Sequence, residues 1–227
     1  MARSFTSNDR YPAYSRKQQI VETVLRLVAT HGTEAVSAQL IADTIGVTQP
    51  AVFRHFPTKE AIWLALMDWL ELRLVAIYSA ADDLREPGLV VLSRIFLEHA
   101  KLIEQYPALA KLVLSDHLRI QYPSLQGRFS KIHKAYMVRL SKLIDRAKAD
   151  GTVTDTVATG GAATMFLSLI QGLGFQFAIA RLPMRLMIEA ERALALYLQS
   201  IAASAEVTKR ARRTIETARR RKVGEPA

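Results

Sequence analysis

From Thr156 to Ala180 the chain carries no charged side chain. A stretch this long and apolar cannot lie free in water. It must sit inside a large helical core, be covered by a second subunit, or cross a bilayer, for which it is long enough. Polar and small residues argue against the bilayer: Thr156, Thr159, Thr164, Ser168, Gln171, Gln176 and four glycines (Gly160, Gly161, Gly172 and Gly174) interrupt the apolar surface. The expectation is a buried or subunit-interface helix with no membrane partner.

The remaining chain reads as helices divided by glycine and proline. Ile20, Val21, Val24, Leu25 and Val28 form an apolar stripe of period 3.6, opposite Gln18, Gln19, Glu22, Thr23 and Arg26. His31-Gly32 supplies a left-handed stop. Ser37 then caps Ala38–Ile45, and Gly46 ends it after two turns. Thr48 caps a second short helix, Gln49–Phe56, with Pro50 in its first turn, where a missing N–H is harmless. Pro57 stops it, and Thr58 caps a longer helix to about residue 81. Further helices are expected over about 89–106, 107–118, 124–149, 155–180 and 183–204. Strand-like alternation and internal repeats are lacking, so the fold class is all-α.

The chain has 227 residues, enough for a sizeable core, and no cysteine, which excludes disulfide scaffolds, thiolate zinc sites and cysteine nucleophiles. The N-terminal segment lacks an apolar run of signal-peptide length, so a cytoplasmic location is expected. Lys and Arg total 31 against 21 Asp and Glu, a net charge of +10. Half of that excess lies in residues 206–227, which hold eight basic and three acidic residues. A basic balance favours a polyanionic partner, nucleic acid or an anionic membrane; a solvated tail is the plainer alternative.

Two short helices joined by a glycine turn, behind a longer amphipathic helix, describe a helix-turn-helix, whose second helix fits the major groove of DNA. The same topology also suits a plain helical hairpin. Residue types strengthen the first reading. Ser37 and Thr48 bring hydroxyls to helix N-termini, where phosphates can be met. Gln49 and Arg54 can bond base edges or phosphates, and His55 and Lys59 are phosphate donors. As alternatives, Ser37 and Thr48 serve only as caps, Gln49 is merely solvated and His55 is packed.

The run Ser37–Glu60, with Ile41-Ala42, Gly46-Val47-Thr48, Phe53-Arg54-His55-Phe56 and Thr58-Lys59-Glu60, resembles the tetracycline-repressor (TetR) family of bacterial transcription regulators. The close likeness covers about residues 16–70. The resemblance implies an N-terminal three-helix helix-turn-helix domain followed by an α-helical ligand-binding and dimerisation domain. It implies a homodimer on a palindromic double-stranded DNA operator, usually a repressor, released by a small-molecule effector, with activation as the alternative. On this reading Ser37 and Thr48 contact phosphate, Gln49, Pro50 and Ala51 face base edges, and His55 and Lys59 hold the DNA backbone. The family usually has Tyr where this chain has Phe53. Phe53 keeps the packing but lacks the phosphate-reaching hydroxyl, a bond worth roughly 1–3 kcal/mol.

The domains expected are therefore a mobile arm at 1–15, the DNA-binding domain at 16–57, the ligand and dimer domain at 58–205, and a basic extension at 206–227. Trp63, Phe96, His99, Leu114, His117, Phe166, Ile170 and Phe175 are candidates for the effector pocket, each alternatively plain core. Their apolar character points to a hydrophobic or amphipathic effector. Gly161, Met165, Ser168, Gly172, Leu194 and Leu198 are the dimer-interface candidates. No cofactor is expected, and the spacing of His99, Asp116, His117 and His133 fits no metal motif. Phosphate-loop, zinc-protease and nucleophile-elbow patterns are lacking, so the chain is not expected to be an enzyme. A nucleoid-associated or membrane-associated basic helical protein is the competing class.

Overall fold

The structure is a computed structural model, and it describes residues 13–82, 85–180, 182–207 and 209. Most of the expected arm and most of the basic extension lie outside these residues. Ten α-helices span the described residues: α1 Ala13–His31, α2 Ala38–Ile45, α3 Gln49–His55, α4 Lys59–Asp82, α5 Gly88–Gln105, α6 Ala108–Val113, α7 Asp116–Gln121, α8 Pro123–Ala149, α9 Thr159–Ala178 and α10 Leu186–Ile201. Among the described residues the only β-type pairing is the isolated bridge Val153–Ala202, which ties the α8–α9 connection to the end of α10.

The first three helices enclose a small core. The α1 stripe foreseen from its period is buried, from Ile20 and Val24 to Val28, and packs on Ile41, Ala42, Val52 and Phe56. The α4 residues Ile62, Trp63 and Leu66 join the same cluster, so α4 passes from this unit into the larger one. Burying each such side chain contributes about 1.5–3 kcal/mol before entropy is counted.

In the larger unit α5 is the central helix, packed by α4, α8, α9 and α10. Its residues from Gly88 to Leu97 are buried except Arg94, which is half-buried and meets Glu86 at 2.5 Å. The core is stitched by edge-on aromatic rings: Phe96 lies 5.1 Å from Phe166, and Phe166 lies 5.7 Å from Tyr197. The Tyr197 hydroxyl donates to the Ala162 carbonyl at 3.1 Å. Buried polar groups without a partner are costly, so this bond helps fix α10 against α9.

Helix α9 holds the uncharged stretch. By length and composition alone it could cross a bilayer, with mean hydropathy 1.2 over its most apolar window. It is instead packed on α5, α6, α8 and α10. Only 39% of that window is buried, so a wide outer stripe stays uncovered by this chain. Of the four glycines only Gly174 permits a close approach to another element: a Cβ there would lie 3.3 Å from Ile103 Cδ1. Gly160 and Gly172 have open space beside them, and Gly161 faces only the neighbouring Ala158 side chain.

One expected helix, about 107–118, is in fact two. Ser115 accepts from the Leu118 N–H at 3.3 Å and caps a new helix, breaking the run between α6 and α7.

Candidate functional site

Two features stand out: the exposed face of the α2–α3 pair, and a cavity in the larger unit. Helix α2 begins as its sequence indicates, with Ser37 Oγ accepting from the Leu40 N–H at 3.1 Å. Gly46 closes it at φ 69°, a left-handed conformation that strains any side chain, and the chain turns at once into α3. Thr48 occupies the N-cap position of α3 in extended backbone, but its hydroxyl makes no cap hydrogen bond, contrary to the capping role expected. Thr58 Oγ1 accepts from the Ala61 N–H at 3.1 Å and starts α4.

Helix α3 is held from below by Val52, fully buried, and by Phe56 just past its end. That anchoring turns the opposite face outward. Thr48, Gln49, Pro50, Phe53 and Arg54 are exposed, while Ala51, His55 and Lys59 are half-buried. Phe53 is 37% exposed, so its ring is not needed to fill the core. Lys17 on α1 lies 5.6 Å from the Phe56 ring centroid, adding a cation close to α3.

The charge on α3 itself is one-sided. Helix α3 has Arg54 and His55 in its last turn and no acidic residue in its first. The carboxylates in the first half of α4 are engaged elsewhere. Glu60 accepts from Ser124, and Asp68 and Glu71 both pair with Arg128 of α8. On α2, Asp43 accepts from Gln39 at 2.7 Å. What remains is an outward helix with amide, guanidinium and imidazole donors and a free hydroxyl at its start.

The cavity, of about 80 Å³, lies between α4, α5, α6, α8 and α9. Three of the eight pocket candidates line it: His99, Leu114 and Ile170. Trp63, Phe96 and Phe166 do not, being fully buried core rings. His117 and Phe175 are exposed and lie off it. The reading from residue type missed Tyr136, His133, Gln171 and Gly174, which do line it. Nothing local marks these residues; only the crossing of α8 and α9 over α5 brings them together. His99 Nδ1 and the Tyr136 hydroxyl are 2.7 Å apart. Burial pulls the His99 imidazole down to a pKa of about 4, so it is neutral near pH 7, and burial pushes the Tyr136 phenol up.

Helix α6 connects the two features. Leu109, Ala110 and Val113 line the cavity. On the same helix Lys111 donates to the α1 carbonyls of Ala29 at 2.5 Å and Val28 at 3.4 Å. Thr33, just past α1, meets Ser115 at 3.2 Å, hydroxyl to hydroxyl. The cavity wall therefore grips the carboxyl end of a helix in the α1–α3 unit.

The dimer candidates divide. Gly161, Met165, Ser168 and Gly172 lie on the exposed stripe of α9, joined by Phe175 and by Ile188 and Leu196 of α10. Leu194 and Leu198 are buried within this chain, facing its own core, and are not available to a second subunit. Among the described residues no three His, Cys, Asp or Glu side chains are grouped as a metal site would require.

Comparison with known proteins agrees with this geometry. Residues 20–66 match the family described as bacterial regulatory proteins, tetR family. The nucleoid occlusion factor SlmA of Enterobacter sp. (strain 638) is 22% identical over 156 residues, 67% of this chain and 79% of that protein. SlmA of Sodalis glossinidius (strain morsitans) is 22% identical over 135 residues, 59% of this chain and 68% of the other. Among solved structures, the ketosteroid transcriptional regulator KstR2 of Mycobacterium tuberculosis superposes with a TM-score of 0.69 at 19% identity, covering 88% of this chain and 98% of that one. The transcriptional regulator FadR of Bacillus subtilis, solved in complex with stearoyl-CoA, gives 0.66 at 16% identity, covering 80% and 97%. At such identities the structural likeness establishes the fold. Residues 20–66 thus carry the signature of the tetR family of bacterial regulatory proteins, DNA-binding regulators of transcription, and the helical architecture beyond them is the fold of solved regulators of that family.

Proposed function

We propose that the chain is a cytoplasmic homodimeric repressor that binds a palindromic operator and is released by a small hydrophobic or amphipathic effector. The observation that carries this reading is the continuity from cavity to DNA face: α6 lines the cavity and holds the end of α1, which packs directly on α2 and α3.

Thr48 and Ser37 hold phosphate oxygens from the starts of α3 and α2, and His55 and Lys59 hold the flanking backbone. Gln49 bonds a base edge, best adenine, with Pro50 and Ala51 in apolar contact beside it and Arg54 reaching base or phosphate. Phe53 contributes shape alone. The second subunit covers the outer stripe of α9 and α10, and the twofold axis sets two α3 helices one helical turn of DNA apart or a multiple of it. Ligand in the cavity favours a dimer in which that spacing is wrong. Helices α4 and α6 act as levers, and the shift is bounded by the ligand's differential affinity for the two states.

A second reading has one specific support. The curated relatives are named nucleoid occlusion factors, and this chain carries a basic excess of +10. In that case the DNA sites are many and dispersed, not confined to a promoter. Selection of bound fragments from the source genome, with purified protein near physiological salt, tests both. An inverted repeat at one or a few promoters supports the repressor. The same repeat scattered over the chromosome supports the nucleoid reading. Sequence-independent, salt-sensitive binding alone refutes both.

A further inference from the structure

The cavity lining is unusual in what it lacks. No Asp, Glu, Lys or Arg lines it. Lys111, on one of the wall helices, spends its ammonium on the α1 carbonyls instead. Against an aliphatic wall of residues such as Leu70, Ile103 and Ile170, the polar groups of His99, Gln171 and the more exposed His133 are unspent. His99 uses Nδ1 on the Tyr136 hydroxyl, and its Nε2 has no hydrogen-bond partner among the described residues. The Gln171 carboxamide, half-buried on α9, likewise has none. Hydrogen-bonding groups left unspent at the wall of an apolar cavity fit a ligand that completes them.

We propose that this cavity takes an uncharged, largely hydrocarbon molecule bearing one or two hydrogen-bonding groups, which the His99 imidazole and the Gln171 carboxamide receive, and that it discriminates against anions. This deepens the effector reading above and rests on it. No lysine or arginine lines the wall to meet a buried carboxylate, and an unpaired buried charge is strongly disfavoured. The low basicity of His99 agrees, since the ring does not become a counter-ion near pH 7. At about 80 Å³ the cavity is smaller than one that takes benzene, roughly 150 Å³. A ligand of useful size must therefore displace a wall, and α6 is the short wall helix that holds α1.

The test uses the full chain at pH 8 and two matched pairs of probes. N-phenylnaphthylamine and anilinonaphthalene sulfonate share their rings and differ by a sulfonate; decanol and decanoate share their chain and differ by a carboxylate. The neutral dye should brighten on binding and be displaced by decanol at a concentration at least about tenfold below that needed with decanoate. Gly174→Val, which fills the wall against Ile103 and Ala110, should weaken the neutral dye about tenfold or more while helical circular dichroism is retained. If that variant fails to fold, Gln171→Leu, which keeps bulk and removes the amide, should weaken decanol about fivefold. Equal or better displacement by decanoate overturns the ligand class and leaves a cavity that binds ligands. Binding of neither dye, with no displacement, overturns the class and the effector reading together. Neutral-dye binding insensitive to both variants places the dye elsewhere and also overturns the proposal. Operator affinity, measured in the same samples, separates the readings: selective uptake of decanol without any change in it sustains the ligand class and removes the regulatory role.

Discussion

Replacing Lys111 by Met isolates the link between cavity and DNA-binding unit. The variant keeps the unbranched stem and removes the ammonium that donates to Ala29 at 2.5 Å and Val28 at 3.4 Å. Those carbonyls lie in the last turns of α1, where the helix dipole is negative. A hydrogen bond from a charged donor contributes about 1.5–3 kcal/mol, and a cation at a partly buried helix carboxyl end up to about 2 kcal/mol. Both figures describe the same contact and do not add. Lys111 is only half-buried, so solvent screening keeps the expected loss near the lower end, about 1.5 kcal/mol. For a chain of this size that lowers the thermal midpoint by about 3–6 °C. Circular dichroism melts at fixed protein concentration measure it, and amide exchange shows where it acts. Protection should fall at the end of α1 and in α6, and stay unchanged in α10. A midpoint shift below about 1 °C, or protection lost uniformly, would refute the claim that this contact joins the two units.

Four other outcomes are expected. Lys59→Ala should weaken all DNA sequences alike and lower the salt slope by about one unit, read by anisotropy over a salt series; altered sequence preference would count against a backbone role. Phe53→Tyr should tighten operator binding about tenfold, the effect of one bond to phosphate near 1.5 kcal/mol, with the preferred sequence unchanged; equal affinity at fixed salt defeats it. Met165→Glu on the outer stripe of α9 should shift the protein toward monomer in sedimentation, and a persistent dimer would move the interface elsewhere. His99 gives a pH dependence whose sign follows from its depressed pKa. The unfolded ring takes a proton near 6.5 and the folded ring only near 4, so this contribution to stability is full at pH 7.5 and falls as pH drops through that window. Between pH 7.5 and 5 the loss is about 2 kcal/mol, and His99→Leu should remove that part of the slope. A slope unchanged in the variant would mean that His99 is not the group responsible.

How much of this was legible in the sequence depends on the range over which each feature is decided. The α1 stripe, the Ser37 cap and the Gly46 turn are set within a few residues, and all three stand where periodicity and cap chemistry place them. The break at Ser115 was missed because the apolar run Leu112-Val113-Leu114 continues up to it, and a serine cap inside such a run looks like an ordinary polar position. Leu194 and Leu198 show a second limit. Helix α10 is apolar on more than one side, with Leu186, Ala190 and Leu194 inward and Ile188 and Leu196 outward. Hydropathy marks both faces alike and cannot distinguish a chain's own core from a partner's. The cavity shows a third. Large rings attract attention as pocket candidates, yet Trp63, Phe96 and Phe166 fill space so well that they close it. The void opens where smaller side chains from five helices meet, a property of their crossing and not of any local pattern.

On the proposed reading α3 reads DNA as one half of a symmetric pair. The most direct measurement selects bound sequences from a random pool with the wild-type protein and with Gln49→Ala in parallel. An inverted repeat is expected for the wild type. For the variant the same repeat is expected, with preference lost at one position in each half-site and kept at the others. An identical preference in both proteins, or a wild-type selection with no inverted repeat, would contradict it.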